Sequence, residues 1–267
     1  MFREFTPRSF TKQMIVFFMD NLIIEAEKYV IHLINEKLNN IMVYHNLTHT
    51  QRVVEKAKEL ADLSNLNDDD KSKLIISAWF HDTGYSKSIE KHEEKSAAIA
   101  SSFLKKHHVT DADIETISSL ILATRIDYEP KTILEKILRD ADCSHIGSKN
   151  FEDISSLLRK EWELACNKNL SETEWLNENI IFLTTKHRFY SNAALANWEK
   201  QKGKNLAQLL KSQKKLSLET HKLKQKKEEL TFKKNKIELP ERGIETMFRV
   251  TLKNHITLSN IADTKAN

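Results

Sequence analysis

The chain has 267 residues, of which 40% are hydrophobic and 30% charged, and its net charge at pH 7 is +4. Only four glycines and three prolines occur, and because so few turn residues favour long helices over many short strands, we expect an all-α fold with one large domain and an appendage. Two cysteines are too few for a disulfide framework, and the sequence shows neither a cleavable signal nor a bilayer-spanning run, which favours the reducing cytoplasm.

Hydrophobic residues recur every three to four positions through the first 200 residues, which predicts a series of helices in one compact domain. Asn67 or Asp68 is expected to cap the third helix, with Gly84 just beyond its end. Ser171 and Glu174 predict a capping box at the last helix of the series. The predicted helices cover residues 10–38, 49–63, 65–82, 92–107, 111–124, 131–142, 151–166 and 171–190.

The segment from Gln201 to Leu239 differs, since it holds twelve lysines and four glutamates, a local charge of +8 that leaves −4 for the rest of the chain. It predicts a lysine-rich helical extension over residues 201–239, after a domain of residues 1–200. An apolar column repeats every seven residues, but the column that would complete a coiled-coil seam is polar. Two interpretations stay open: a homodimer formed through this helix, or a long helix whose leucines lie on the main domain. The apolar column is Leu209, Leu216, Leu223, Leu230 and Ile237, and the polar one is Gln213, Thr220, Lys227 and Lys234.

Histidines and carboxylates occur in four ordered blocks. His49 lies in HTQRVV, and His81 with Asp82 in AWFHDTGY; His92 with Glu93 lies in KHEEKSA, and Asp140 with Asp142 in LRDADCSHIG. Imidazole and carboxylate ligands suit divalent ions such as Mn, Ni, Fe, Co, Zn or Mg. Each block alone is more often structural, but the ordered set on predicted helices indicates a divalent metal site between packed helices.

This ordered set resembles the HD superfamily of metal-dependent phosphohydrolases over roughly residues 40 to 150. The resemblance implies that His49, His81, Asp82 and Asp142 are the metal ligands. It implies for Asp140 a role in holding a ligand or a water, against the alternative of an ordinary charge at a helix end.

The segment YHNLTHTQRV, residues 44–53, also resembles the YHNxxHxxxV segment of class I cyclic-nucleotide phosphodiesterases. Carried to this chain, the resemblance implies that His45 protonates the leaving oxygen, with Asp82 as the second catalytic residue and Asn46 in contact with substrate. Such a role suits a histidine, because its pKa lies near neutrality. The alternative for His45 is a helix cap or a solvent contact.

Two departures narrow the resemblance. Thr124 stands where many relatives have a histidine, so one tightly held ion is favoured over a binuclear pair; His92 and Glu93 are assigned to the surroundings of the site or to a second ion. Tyr85 follows the HD pair where the HD-GYP class, which cleaves cyclic dinucleotides, has a lysine, and that class is disfavoured.

A longer pattern resembles a bacterial subgroup known as Pycsar-effector-like. It comprises FHDTGY, HEEKSA, ILATR, DADCSHIGSKNF and KHRFYSNAALANWEKQKGKNL. The resemblance implies an HD domain that precedes a membrane region and works in nucleotide-signalled antiphage defence. Pro240 is expected to end the lysine-rich helix, and residues 240–267 are then a connector to a membrane region absent from this chain. The implied location is the cytoplasm, either alone or as a domain of an inner-membrane protein.

Cations outside the four blocks are weaker candidates. Arg125 and His187, with Lys186 and Arg188, would suit a substrate phosphate, but the HRFY run is expected to end a long helix, where cations complement the helix dipole. The lysine-rich segment suits anionic headgroups better than nucleic acid, and no specific nucleic-acid partner is expected.

The expected function is metal-dependent hydrolysis of a nucleotide phosphoester or cyclic phosphodiester. A nucleotide-sensing module with little or no turnover that controls a membrane effector is the main alternative, and an HD-shaped scaffold for oligomerisation is the third. The presence of His45, Asp82 and Asp142 together favours the enzyme, because a pure sensor has no need of an acid.

Overall fold

The computed structural model describes the backbone of residues 7–238 and 241–265 and the side chains of residues 19–234 and 243–259. All regular structure in these ranges is helical, which confirms the all-α prediction. The α-helices are α1 (Pro7–Lys37), α2 (Leu47–Leu63), α3 (Asp68–Phe80), α4 (His92–Lys106), α5 (Asp111–Leu122), α6 (Ile133–Asp142), α7 (Phe151–Cys166), α8 (Glu172–Ile181), α9 (Asn192–Glu238) and α10 (Glu241–Lys265). Short 3₁₀ segments, Thr83–Ser86 and Cys143–Gly147, follow α3 and α6.

Helix starts follow the cap residues of the sequence. The Asn67 side chain accepts the Asp70 N–H at the start of α3, and Ser171 with Glu174 forms the predicted capping box of α8. Each such cap satisfies a backbone donor that the first helical turn leaves unpaired.

Helix α3 is the centre of the bundle. It packs against α1, α2 and α5, and consecutive residues near its end, among them Ala78, Trp79 and Phe80, are all buried. A helix that is apolar on every side is stable only inside a layer of other helices. Since α2 packs on both α3 and α6, the end of α3, the start of α2 and the end of α6 lie together.

The end of α3 differs from its prediction. The helix stops at Phe80, and the chain turns through Thr83–Ser86 before α4. Gly84 is required for close approach: a Cβ on Gly84 would lie 1.9 Å from the carbonyl oxygen of His92. Its N–H donates to Ser96 Oγ at 2.8 Å, so this turn is fixed against the first turns of α4.

The predicted helix through HRFY was also wrong at its end. After α8 the chain makes a π-helical turn over Phe182–Lys186, and His187 is already extended. The hydroxyls of Thr184 and Thr185 both bond to the Ile181 carbonyl, at 3.3 and 2.7 Å, and such bonds compete with the regular helical ladder. Lys186 lies in the last turn of this π-helical segment, and His187 and Arg188 follow it.

The chain divides into two compact units, residues 1–211 and 212–267, and α9 contributes to both. In the first unit Ala194 and Trp198 of α9 belong to the core, and Asn205 Nδ2 donates to the carbonyls of Ile146 and Ser148. Leu209 packs against this core.

The second unit contains the rest of α9 together with α10. Leu223 and Leu230 of the heptad column are 68% and 59% exposed, so pairing between chains stays a prediction. The side chain of Ile237 and the predicted stop at Pro240 lie outside the described residues. Among the described helices, none combines the length and apolar character required to cross a membrane.

Candidate metal centre

Two imidazoles and two carboxylates from three helices converge at one point. His49 Nε2 lies 3.2 Å from His81 Nε2 and 3.2 Å from Asp142 Oδ1. Asp82 Oδ2 lies 3.1 Å from each of the two Nε2 atoms, and Asp142 Oδ1 lies 3.7 Å from His81 Nε2. Both histidines are buried, while the Asp142 side chain is 24% exposed. The cluster is therefore open to solvent on the side of Asp142.

Three of these groups, His49, His81 and Asp142, offer ligand atoms close enough together to hold one divalent cation, and Asp82 lies against both imidazoles. Ligand atoms about 2.1 Å from one ion lie about 3.0 Å apart at a right angle and about 3.4 Å apart at the tetrahedral angle, which matches the observed spacing. The His81 Nδ1–H donates to the Ala78 carbonyl at 2.8 Å, so Nε2 faces the cluster and carries the lone pair once the ring is neutral. Asp82 Oδ2 is buried and makes no hydrogen bond of adequate geometry to any described residue. Two imidazoles with two carboxylates also match the ligand preference of borderline divalent ions.

Arg52, one turn along α2, adds a constraint on His49. Its Nη2 donates to His49 Nδ1 at 2.7 Å. A guanidinium has only donors, so the proton of the neutral His49 ring lies on Nε2 in this arrangement. Binding of a cation at Nε2 therefore requires that this proton leave and that the ring and Arg52 readjust.

The pKa values of the cluster are set by burial and by the opposite charges of its imidazoles and carboxylates. Burial lowers the pKa of His81, but the carboxylates of Asp82 and Asp142 outweigh it and raise the pKa to about 9. Burial likewise raises the pKa of Asp82, yet the imidazoles of His81 and His49 hold that pKa well below its usual range. Protons on imidazole thus balance the carboxylates, and a bound cation would take over this balance.

His45, four residues before His49, is held by a carboxylate from α7. Its Nδ1 contacts Glu161 Oε1, and Glu161 Oε2 accepts the backbone N–H groups of Tyr44 and His45 at 2.8 and 2.9 Å. Burial lowers the pKa of His45, but the bond to Glu161 together with the nearby carboxylates of Asp82 and Asp142 outweighs this effect, and the net pKa is raised. Burial raises the pKa of Glu161, and the contact with His45 brings it below its usual value. Each group thus favours the charged form of the other, imidazolium on His45 and carboxylate on Glu161.

Glu161 and Arg52 had not been identified from the sequence. Glu161 lies 116 residues from His45 in an ordinary amphipathic helix, and only its burial, with 3% of the residue exposed, distinguishes it. Glu161 lies outside the four blocks, and Arg52, although it lies within HTQRVV, is not a residue type that ligates a metal.

Asn46 serves the local fold. Its Oδ1 accepts the His49 N–H at 3.2 Å and its Nδ2 donates to the Val43 carbonyl at 2.8 Å. These bonds cap α2 and fix the backbone at His49. A contact between Asn46 and substrate stays a prediction, and it would compete with these two bonds.

His92 and Glu93 lie next to the cluster at the start of α4. His92 Nε2 is 3.8 Å from Asp82 Oδ1, and His92 Nδ1 is 3.4 Å from Glu93 Oε2. This position agrees with either role assigned to them, in the surroundings of the site or at a second ion.

Three other predicted site residues make their contacts elsewhere. Asp140 is fully buried and accepts the N–H groups of Tyr190 and Ser191 at 2.8 and 2.7 Å, so it ties α6 to the start of α9. Arg125 is paired with Asp127 and Glu94 at the surface. The His187 ring packs on Phe182 and Phe189, and burial lowers the pKa of His187 to about 3. Their assignments to ligands or substrate stay predictions.

The fold and the cluster define an all-α protein with a candidate divalent-metal centre built between helices. Residues 46–147 match the family described as HD domain, a segment that contains all four converging groups and begins one residue after His45. HD domains bind divalent metals and generally belong to metal-dependent phosphohydrolases, so the match supports membership of the HD superfamily. No match was found among curated proteins or solved structures.

Proposed function

We propose that this chain is a metal-dependent phosphohydrolase that cleaves a phosphoester or cyclic phosphodiester of a nucleotide, with His45 as the general acid. One observation carries the proposal: a partly buried imidazole, paired with the buried Glu161 carboxylate, adjoins a cluster that fits a divalent cation. The ring centroids of His45 and His49 are 5.6 Å apart, so the proposed acid and a proposed metal ligand lie close enough to contact the same phosphate group.

The chain's own residues would divide the work between binding and proton transfer. His49, His81, Asp82 and Asp142 would hold the cation, which when bound supplies Lewis acidity toward phosphoryl oxygens and lowers the pKa of water. Because Glu161 accepts the Nδ1 proton of His45, the proton that His45 can give up lies on Nε2. The raised pKa of His45 favours retention of that proton, and from Nε2 it can pass to a departing alkoxide.

The nucleotide substrate and the role in antiphage defence rest on resemblance. Support for the substrate class comes from YHNLTHTQRV, and support for the defence role from the longer pattern across the domain. Self-association through α9 and contact of its lysines with anionic lipid are proposals of the same kind. Light scattering on the full chain and on a chain ending at Lys211 tests the first, and an unchanged subunit number would refute it.

The test of the hydrolase is turnover of a panel of cyclic and linear nucleotides with added Mn²⁺, for the wild type, Asp82→Ala and His45→Ala. We expect both variants to lose turnover. Asp82→Ala should also lose Mn²⁺ binding by calorimetry, whereas His45→Ala should keep it, because His45 is not a ligand. Full turnover in His45→Ala would refute its role as the acid.

One observation favours the alternative of a nucleotide sensor. The bond from Arg52 to His49 Nδ1 places the proton of a neutral His49 ring on Nε2, so this bond must be broken for a cation to bind there. A sensor would bind one member of the panel tightly in calorimetry and release no product, and Arg52→Met would not change that outcome. Hydrolysis by wild-type protein would refute this alternative.

A further inference from the structure

Three aromatic rings form a continuous stack beside the candidate metal centre. The ring of Tyr85 lies 4.3 Å from that of His45, with 20° between the planes. On its other face it lies 4.0 Å from the ring of His92, with 23° between the planes. Both faces of Tyr85 are thus covered by imidazoles, one from the candidate acid and one from α4.

The turn that carries Tyr85 is fixed on both sides. The Tyr85 N–H donates to the Asp82 carbonyl at 3.1 Å, which ties the ring to a residue of the cluster. Gly84, directly before it, is packed against the His92 carbonyl with no space for a side chain. The start of α4 therefore sets the position of the Tyr85 ring, and the stack is a built feature of the fold.

The hydroxyl of Tyr85 faces the nitrogen of His45 that Glu161 leaves free. Tyr85 Oη lies 3.5 Å from His45 Nε2, at the outer limit of a hydrogen bond. A hydroxyl is both donor and acceptor, so this contact suits the imidazole with or without its Nε2 proton. His45 is thus held at Nδ1 by Glu161, at one ring face by Tyr85, and at Nε2 by the same tyrosine.

We propose that Tyr85 is the positioning residue of the general acid: its ring fixes the plane of the His45 imidazole and its hydroxyl directs Nε2. This inference rests on the proposed function, and it makes a further statement about substrate. Because both faces of Tyr85 are occupied, this ring does not stack on a nucleobase, and the base must be bound elsewhere.

The first experiment reads the position of His45 without turnover. In protein labelled at its histidines, the His45 ring protons should be shifted by the ring current of Tyr85, and the resonance is assigned by its loss in His45→Gln. Tyr85→Phe should keep this shift and Tyr85→Leu should lose it. His32 and His107, which line a separate groove between α1 and α4, are internal references for folding. An unchanged His45 resonance in Tyr85→Leu would overturn the proposal.

The second experiment is kinetic and uses the substrate found in the nucleotide panel. Tyr85→Leu should lower kcat by about 10- to 100-fold with KM unchanged, since misplacing a reacting group by about 1 Å has effects of this size. Tyr85→Phe should lower kcat by about 2- to 10-fold, the effect of one neutral hydrogen bond. Tyr190→Phe removes a hydroxyl that contacts the surface residue Glu129 at 3.4 Å and is the matched control.

The outcomes separate this inference from the function on which it rests. A Tyr85→Leu variant that shows the ring-current loss but a wild-type kcat overturns the positioning role. Wild-type kcat in Tyr85→Phe overturns the part assigned to the hydroxyl. If wild-type protein hydrolyses no member of the panel, the proposed function fails, and the resonance of His45 still decides whether Tyr85 holds the ring.

Discussion

Replacing Glu161 with glutamine tests the proposed acid most directly. Glutamine keeps the size of the side chain and one acceptor oxygen, which can still receive the N–H groups of Tyr44 and His45. Its amide NH₂ then faces His45 Nδ1 and cannot accept a proton from it. The neutral imidazole is driven to carry its proton on Nε2, and the imidazolium loses its carboxylate partner.

The magnitude follows from the loss of one buried, charge-assisted hydrogen bond. Such a bond contributes about 1.5–3 kcal/mol, which corresponds to a factor of about 10 to 150 in a rate. We expect kcat for a substrate with an alkoxide leaving group to fall by this factor. Because the raised pKa of His45 depends on Glu161, activity should also be lost at lower pH in the variant than in the wild type.

The assay compares two leaving groups on the same phosphodiester. An alkoxide needs a proton as it leaves, whereas p-nitrophenolate does not, so Glu161→Gln should impair the first and largely spare the second. Glu163→Gln, two residues further along α7 and paired with Lys160 at the surface, is the control and should behave as wild type. Equal losses with both leaving groups would show that Glu161 does not act through proton transfer.

Three further predictions concern the metal centre and the fold. Added Mn²⁺ should stabilise the wild type by about 2.7 kcal/mol when its concentration is one hundred times its Kd, and this should be measured as a rise in Tm. Asp142→Asn should abolish the rise in Tm, and a rise of equal size in the variant would exclude Asp142 as a ligand. Gly84→Ala should destabilise the protein by about 1–3 kcal/mol through overpacking. Gly203→Ala should instead stabilise α9 by up to about 1 kcal/mol, because no atom lies within 4 Å of the added Cβ. Denaturant titration measures the stability of both variants, and equal effects would contradict the packing argument. Asp140→Asn should destabilise by about 1–3 kcal/mol, because the amide cannot accept all the donors at Ser191 and its neighbour, and an unchanged denaturation midpoint would refute this.

Much of the fold was predictable because local signals agreed with it. The cap residues before α3 and α8 and the apolar periodicity of α2 are readable from neighbouring positions. The ordered blocks of histidine and carboxylate indicated a site between helices. The resemblance to the HD superfamily then selected the groups that lie together, His49, His81, Asp82 and Asp142. These parts depend on short stretches of chain.

What the sequence did not reveal depends on contacts between distant stretches. The partner of His45 lies on a helix more than one hundred residues away, and nothing in FEDISSLLRKEWELAC distinguishes Glu161 from an exposed glutamate. The early end of α3 follows from the fit of Gly84 on α4, and the π-helical turn before His187 follows from threonine side-chain bonds. In each case tertiary or side-chain contacts decided against local helix propensity.

The placement of the four candidate ligands at the start of α2, just after α3 and at the end of α6 would give a bound ion a second role as a cross-link. His49 and His81 are 32 positions apart, and Asp142 follows 61 positions later, so one ion would close two long loops of chain at once. Closing a loop lowers the conformational entropy of the chain, and this entropic cost rises only slowly with loop length. Chelation should therefore loosen the whole bundle around α3, and loss of activity and loss of structure should occur together.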